Sequence, residues 1–269
     1  MVVLSLQEAK LRNITLGTES WNNFDNYTKL LGDPFFYTVV VRTIVFTAAC
    51  VLATMILGTL VALLLNKLGN KMRLTVLLAL LLAWATPAVT ATQVFQFLFD
   101  TQFGVVNWAL VSLGFEQFEG YSWLAQPLSL LSLAALIVVW AGIPFVALTL
   151  FAGLTQVPNE IYEAASLDGA SRWTQFWKLT VPSLAPIFLI LFALSTIWDF
   201  RVFTQVFILQ KSGGIARDTD LLAIYAYRTS FSANNFGVGS AIGVVMVAML
   251  LVFSVIYIKR MIKQIDEAS

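Results

Sequence analysis

Asp199 and Arg201 are the ionisable side chains that lie inside a long apolar stretch of this sequence. Few other residues could do chemistry, because the 269-residue chain contains no His, and its single cysteine, Cys50, lies in an apolar run. This inventory excludes an intrachain disulfide, a CxxC metal site and His-based catalysis. No G-x-x-x-x-G-K-[ST] segment occurs, so the chain lacks the phosphate-binding loop of an ATPase. We expect no catalytic residue, metal or cofactor in this chain.

The composition indicates a membrane protein. Hydrophobic residues make up 59% of the chain and charged residues 12%, whereas soluble domains are about half apolar and about a quarter charged. Binding to a phosphate backbone needs clustered Lys and Arg, and the formal net charge is only +1. We therefore predict no nucleic-acid partner.

Five apolar runs are longer than the roughly 18 residues that a spanning helix needs. One of them contains Asp199 and Arg201, and the other four contain no charged residue. An ionisable group at the centre of a spanning helix costs about 2.5 to 3.5 kcal/mol on insertion scales, so this helix needs a face sheltered by protein or water. We predict an all-α integral membrane protein with five transmembrane helices, at 43–65, 74–99, 128–154, 183–209 and 238–258.

The basic residues predict the orientation of these helices, because Lys and Arg in short loops stay on the cytoplasmic side. The loop 66–73 contains only basic charges, and the loop 100–127 contains only acidic ones; the residues are Lys67, Lys71 and Arg73, and Asp100, Glu116 and Glu119. We expect residues 1–42 to form an extracytoplasmic segment before a membrane domain at 43–269. The segment 155–182 is then cytoplasmic.

The segment 155–182 is predicted to form two short helices. Pro158 suits the first turn of a helix, and Gly169 can adopt the left-handed conformation that ends one. Ser171 can cap a second helix. We expect the aromatic residues of this second helix, Trp173, Phe176 and Trp177, to be buried against the membrane bundle.

Glu163, Ala164 and Ala165 stand at a fixed spacing from Gly169 and from a following Leu179, Val181 and Pro182. This pattern resembles the EAA loop of permease subunits of binding-protein-dependent ATP-binding-cassette (ABC) importers. Other segments are similar to the maltose-type, first-permease branch of the sugar importers; they are FDNYTKLLGDP at 24–34, FLFDTQFGVVNWAL at 97–110, AGLTQVP at 152–158 and WDFRVF at 198–203. The resemblance covers nearly the whole chain.

The resemblance implies a type I ABC importer permease fold, in the cell (inner or plasma) membrane of a prokaryote. It implies that the loop couples to an ATPase through Glu163, Ala164, Ala165, Asp168, Gly169 and Pro182. The implied partners are a second permease subunit, two ATPase subunits that carry ATP and Mg, an extracellular solute-binding protein, membrane lipid and a sugar. The family usually has a further helix before the FDNY segment, and we expect this chain to lack it. From its residues alone, the loop could also be an ordinary amphipathic loop.

A substrate pathway is expected around Arg201, formed also by Trp198, Asp199 and Gln205. In a continuous helix Trp198, Arg201 and Gln205 share one face, and Asp199 lies on another. An aromatic plane, a multidonor cation and an amide are suited to stacking a sugar ring and bonding its hydroxyl groups. The alternative is that Arg201 is neutralised by Asp199, or by a carboxylate of the second permease, and only helps assembly.

Three further residues are candidates for the pathway. Trp140 lies beside Gly142 and Pro144, where a loosened helix could open a cavity, although a packing role for this Trp fits equally well. Gln93 and Gln96 share a face near the end of the second predicted span. Pathway lining and interhelical hydrogen bonding are equally consistent with these two residues.

Two other classes of protein remain as alternatives. A secondary, ion-coupled transporter would also place scarce charges near the middle of the membrane, but it is usually built from paired repeats, and none is visible here. A membrane enzyme would need several His, Cys or intramembrane carboxylates. The importer permease is the interpretation that agrees best with both the residues and the resemblance.

Overall fold

The computed structural model describes residues 1–213 and 215–268, and it is helical over most of that length. The N-terminal segment contains three short helices and a two-stranded antiparallel sheet in which Gln7 pairs with Trp21. In chain order, these elements are α1 (Val2–Ser5), β1 (Gln7–Glu8), α2 (Leu11–Leu16), β2 (Ser20–Trp21) and α3 (Asp25–Leu31).

The rest of the described chain forms a helical bundle. Its helices are α4 (Pro34–Lys67), α5 (Asn70–Ala85), α6 (Ala88–Leu98), α7 (Val105–Ser112), α8 (Pro127–Leu154), α9 (Asn159–Leu167), α10 (Arg172–Gln175), α11 (Val181–Ser183), α12 (Ala185–Asp199), α13 (Thr204–Lys211), α14 (Leu222–Tyr227) and α15 (Phe236–Ala268). Short 3-10 turns cover Glu116–Phe118 and Arg217–Thr219, and π-helical turns cover Phe176–Thr180 and Arg228–Ser232.

Four continuous or nearly continuous helices of this bundle are long and apolar enough to cross a membrane, and a fifth crossing is formed if α5 and α6 count as one bent span. The prediction of five spans is confirmed in this sense. Three predicted spans differ in detail, because one helix starts earlier and two are interrupted.

The first span starts at Pro34, well before the predicted residue 43. The Asp33 carboxylate accepts a hydrogen bond from the backbone N–H of Phe35 at 2.9 Å, and Pro34 occupies the first turn, so both favour a helix start here. A helix of 34 residues is about 50 Å long and exceeds the roughly 30 Å hydrocarbon layer. Residues 34–42, predicted to belong to the extracytoplasmic segment, are therefore the beginning of α4.

The second predicted span, 74–99, is not one helix. α5 and α6 meet at an angle of 102° at the break that contains Thr86 and Pro87. Pro87 has no N–H to donate to the helix and disfavours a helical conformation of the residue before it. The fourth span is also interrupted, because α12 ends at Asp199 and α13 begins at Thr204.

The centre of the bundle is a close crossing of α4 and α8. A β-carbon added to Gly58 would lie 2.6 Å from Val146, and one added to Gly142 would lie 2.9 Å from Thr54. Glycine at these two positions lets the backbones approach closely, as small residues do between membrane helices. Pro144 is buried in α8, which nevertheless continues from Pro127 to Leu154.

The N-terminal segment packs on the starts of α4 and α15. The Asn26 side chain donates hydrogen bonds to the backbone oxygens of Ser5 and Gln7, each at 2.9 Å, and Gly237 N–H donates to Ala9 O at 3.1 Å. α4 and α15 thus start at the same end of the bundle. At the other end, which we call the basic end, Lys67 of α4 and Arg172 lie around one cavity.

Candidate functional site

Helix α9 carries the EAA residues on a surface that this chain leaves uncovered. Glu163, Ala164 and Asp168 are exposed, and Ala165 is half-buried. Leu167 is 90% exposed, and Ile161 is also exposed. Two exposed apolar side chains beside two carboxylates make this surface a candidate for contact with another protein. We call Ile161, Glu163, Ala164, Leu167 and Asp168 the docking surface.

The turn after α9 follows the prediction. Gly169 has a φ of +78°, and Ala170 N–H donates to Ala165 O at 2.9 Å, which closes the end of the helix. Ser171 then caps α10, since its Oγ accepts a hydrogen bond from Thr174 N–H at 3.2 Å. The prediction of two short helices separated by a left-handed glycine is confirmed.

Two side-chain contacts hold α9 against the segment that follows it. The Tyr162 and Thr180 hydroxyl oxygens are 3.1 Å apart. The Gln175 amide donates to Ser166 Oγ at 2.9 Å and to Ala170 O at 3.1 Å. Tyr162 and Ser166 therefore tie α9 to the segment that leads into α12. Pro182 lies in α11, within that connection rather than on the docking surface.

The predicted burial of Trp173, Phe176 and Trp177 is wrong for the two tryptophans. Trp173 is 71% exposed and Trp177 is 52% exposed, whereas Phe176 is half-buried. The three rings pack on one another, with Trp173 and Trp177 in an edge-to-face arrangement at 5.7 Å. The aromatic cluster therefore lines the cavity at the basic end instead of filling the bundle.

The chain leaves helical geometry where the pathway residues lie. α12 ends at Asp199, residues 200–203 form an irregular connection, and Gln205 belongs to α13. The predicted common helical face of Trp198, Arg201 and Gln205 is therefore wrong. Within membranes, irregular backbone is tolerated only where it is buried in protein or lines a water-filled cavity. Broken helices of this kind also form the substrate sites of transporters.

The four pathway residues of this segment lie in different surroundings. The Trp198 ring packs edge-to-face on Phe145 with centroids 5.1 Å apart. Asp199 is buried, Arg201 is exposed and Gln205 is half-buried. Among the side chains that the structure describes, the ion pairs are Glu8–Lys10 and Asp220–Arg228. Asp199 and Arg201 do not form the pair that the alternative interpretation requires within the chain.

Of the remaining candidates for the pathway, two contact other side chains of the bundle and one is exposed. The half-buried Trp140 ring packs edge-to-face on Phe95 at 5.5 Å, and helix α8 continues without a break past Gly142 and Pro144. Gln96 accepts a hydrogen bond from Ser212 Oγ at 3.0 Å and so connects α6 to the end of α13. Gln93 is exposed on α6.

A polar cluster that no sequence pattern predicted lies at the end opposite the basic end. Arg228 Nη1 lies 2.8 Å from Asp220 Oδ2, and the Asp220 side chain is 1% exposed. Gln210 Nε2 donates to Thr219 Oγ1 at 2.9 Å and to Asp220 Oδ1 at 3.3 Å, while its oxygen accepts from Arg228 at 3.2 Å. Arg42 of α4 donates to the backbone oxygen of Asp220 at 3.1 Å. The cluster joins the segment after α13 to α4.

Removal of one partner of the Asp220–Arg228 pair is expected to loosen this segment. Arg228→Gln should lower the stability of its attachment by about 3 kcal/mol at neutral pH, because it leaves a buried carboxylate without its cation. Asp220→Asn with Arg228→Gln should recover most of the loss. Hydrogen exchange of residues 216–228 measures the effect, with Arg12→Gln on the exposed face of α2 as the control. Equal exchange in Arg228→Gln and Arg12→Gln would contradict the assignment.

The same pair is expected to make the stability of the attachment of this segment to α4 depend on pH. Burial raises the pKa of Asp220 to about 6, although Arg228 acts in the opposite direction. A detached aspartate titrates near 3.9, so the attached state binds more protons than the detached state between about pH 4 and pH 6. The attachment should therefore weaken as the pH rises through this window and stay constant above it. Asp220→Asn should abolish this slope.

The sequence of this chain matches a known family and is similar to characterised permeases. The profile of the family described as "Binding-protein-dependent transport system inner membrane component" matches residues 54–264. The diacetylchitobiose uptake system permease protein DasB of Streptomyces coelicolor is 39% identical over 98% of this chain and 80% of its own length. The trehalose/maltose transport system permease protein MalF of Thermococcus litoralis is 31% identical over 87% of this chain and 77% of its own length.

Solved structures share the fold. A chain of a bacterial ABC transporter involved in the import of the acidic polysaccharide alginate superposes with a TM-score of 0.81 at 20% identity, over 94% of this chain and 90% of that one. A chain of the MetNI methionine ABC transporter in an inward-facing conformation gives a TM-score of 0.59 at 16% identity, over 84% and 94% of the two chains. The bundle therefore has the fold of ABC importer permeases.

Proposed function

Because the chain belongs to the family of binding-protein-dependent transport system inner membrane components, we propose that it is a permease subunit that imports a carbohydrate with the energy of ATP. The observation that carries this proposal is the 39% identity to a diacetylchitobiose uptake permease over nearly the whole chain. The chain is a multi-pass protein of the cell membrane, and its role is transport rather than catalysis.

The proposed energy source is a separate ATPase that docks on the docking surface of α9. Glu163 and Asp168 supply carboxylates, and Leu167 supplies an apolar side chain that the partner would bury. Because Tyr162 and Gln175 tie α9 to the segment before α12, movement of the ATPase would shift α12 and the broken segment at its far end. Two ATPase subunits carrying ATP and Mg, a second permease and an extracellular solute-binding protein would complete the assembly.

The proposed pathway runs past the break between α12 and α13. Trp198 offers an indole face, Arg201 offers donors, and Gln205 offers an amide from the start of α13. Such groups match the faces and hydroxyl groups of a sugar, and Arg201 could also bond an acetamido or carboxylate oxygen. The relatives named for diacetylchitobiose and for trehalose and maltose support a carbohydrate as the substrate class. Gln93, exposed on α6, is a further candidate for the lining.

The orientation that this function requires places the basic end in the cytoplasm, where the ATPase operates. Single cysteines at Glu116 and at Lys71, both exposed, test it by labelling in intact cells with a membrane-impermeant maleimide. Position 116 should react from outside, and position 71 should react only after the membrane is opened. The native Cys50 is fully buried and gives little background. Labelling of position 116 only from the cytoplasmic side would contradict the importer assignment.

A further inference from the structure

A cavity of about 860 Å³ opens at the basic end of the bundle, between α4 and the segment 172–181. Apolar side chains of α4, including Ile56, Leu60 and Leu63, form one wall, and Phe188 of α12 contributes to another. Ile56 and Leu60 are more than half exposed. This wall is therefore apolar surface that the described chain leaves largely uncovered.

The mouth of this cavity is basic. Lys67, at the end of α4, and Arg172, at the start of α10, both line it, and no Asp or Glu belongs to the lining. Both side chains are exposed, and neither forms an ion pair with a side chain that the structure describes. An anionic group at this point would meet two cations and no opposing carboxylate of the lining.

Two exposed tryptophans belong to the lining of the cavity. Trp173 and Trp177 line the cavity and are exposed, although the sequence predicted their burial. Indole rings concentrate at the membrane–water interface, because they have an apolar body and one N–H donor. Along α4 the lining changes from Ile56 and Leu60 to Asn66 and Lys67 within three turns. An apolar wall that leads to indoles and cations at one end matches the acyl chains, interface and headgroup of a phospholipid.

We propose that this cavity binds an anionic phospholipid, with the phosphate group at Lys67 and Arg172 and an acyl chain along Ile56 and Leu60. Basic pockets between transmembrane helices bind anionic headgroups in this way. The bound lipid would contact both α4 and the segment that ties α9 to the bundle, so it would stabilise the position of the docking surface. The site is separate from the pathway residues and does not depend on which solute is carried.

Quenching of tryptophan fluorescence in the assembled transporter tests the proposal. The complex is reconstituted in phosphatidylcholine nanodiscs that contain a small fraction of either dibrominated phosphatidylglycerol or dibrominated phosphatidylcholine. The double variant Trp173→Phe, Trp177→Phe identifies the part of the signal that comes from the cavity. Brominated phosphatidylglycerol should quench the fluorescence of Trp173 and Trp177 at a lower lipid fraction than brominated phosphatidylcholine does. Lys67→Ala with Arg172→Ala should weaken that preference, on the order of 5-fold for each cation removed.

Lys71→Ala with Lys178→Ala is the matched control, because both residues are exposed at the same end and neither lines the cavity. In this control variant, brominated phosphatidylglycerol should still quench more strongly than brominated phosphatidylcholine. Equal quenching by the two brominated lipids would overturn the proposal, since it would indicate general contact with the bilayer. Absence of any quenching that depends on Trp173 and Trp177 would overturn it too, because another subunit would then cover the cavity. An equal loss in the control would assign the preference to overall charge and not to this site.

Discussion

A transporter with Leu167→Asp is expected to lose its ATPase subunits during purification, while the permease itself still inserts and folds. Leu167 makes almost no contact within the chain, since it is 90% exposed, so the substitution should not disturb the bundle. In the docked state the new carboxylate would be buried without a cation, which costs at least about 2 kcal/mol and lowers the affinity by at least on the order of 30-fold. Co-purification of the ATPase and its stimulated hydrolysis are the measurements.

Two controls accompany this variant. Leu167→Met keeps an apolar side chain and should retain the ATPase. Leu16→Asp introduces the same charge at another exposed leucine, on α2 at the opposite end, and should also retain it. Full retention of the ATPase by Leu167→Asp would show that α9 is not the docking element, whatever the function of the chain.

Gly169 provides a second test of the same element. Its φ of +78° costs any other L-residue about 1 to 2 kcal/mol, although no atom lies within 4 Å of the position of an added β-carbon. Gly169→Ala should therefore weaken the coupling between the ATPase and the permease, because it strains the backbone of the turn without a steric clash. Gly69→Ala is the matched control, because Gly69 has equally open surroundings and a φ of −65°. Asn tolerates left-handed backbone best among other residues, so Gly169→Asn should be milder than Gly169→Ala.

Arg201→Ala is expected to lower uptake of the cognate sugar, while the complex still assembles with its ATPase. Loss of a charged hydrogen bond to the substrate costs about 1.5 to 3 kcal/mol, so kcat/KM for uptake should fall on the order of 10- to 100-fold. Arg12→Ala, on the exposed surface of α2, is the control for removal of a cation. Normal uptake by assembled Arg201→Ala would eliminate Arg201 from the pathway.

The competing role of Arg201 in assembly gives a different pattern. If Arg201 neutralised a carboxylate of the second permease, Arg201→Ala would lower the amount of assembled complex as well as uptake. Asp199→Asn would not rescue that loss, because the two residues of this chain do not form an ion pair. The yield of the complex, measured beside uptake per complex, separates the two roles.

Local sequence signals were sufficient for the turn between α9 and α10. Gly169 follows a helix-forming run and precedes a Ser that can cap a new helix, so the chemistry of the turn could be predicted without tertiary contacts. The bend between α5 and α6 also had a local signal, Pro87, which a count of apolar residues ignores. The burial of Trp173 and Trp177 was predicted wrongly, because amphipathic spacing does not show whether the apolar face meets protein or membrane.

The break after Asp199 had no such local signal, since residues 198–205 contain neither Pro nor Gly. In the structure the end of this connection has a tertiary contact, because Phe203 packs on Tyr227 of α14 with ring centroids 5.3 Å apart. The Asp220–Arg228 pair was missed for a similar reason, because the cluster around it includes Arg42, which is 178 residues from Asp220 in the sequence. Single-sequence patterns contain no information on such contacts.

ATP-driven uptake in proteoliposomes tests the central claim most directly. This permease is reconstituted with its partner permease, ATPase and solute-binding protein, and uptake of labelled diacetylchitobiose and maltose is measured with and without ATP on the side of the basic end. We predict uptake of a carbohydrate that requires ATP, persists when ion gradients are collapsed, and disappears with Leu167→Asp. Uptake by this chain without ATPase, driven by a sodium or proton gradient, would contradict the account and would indicate a secondary transporter.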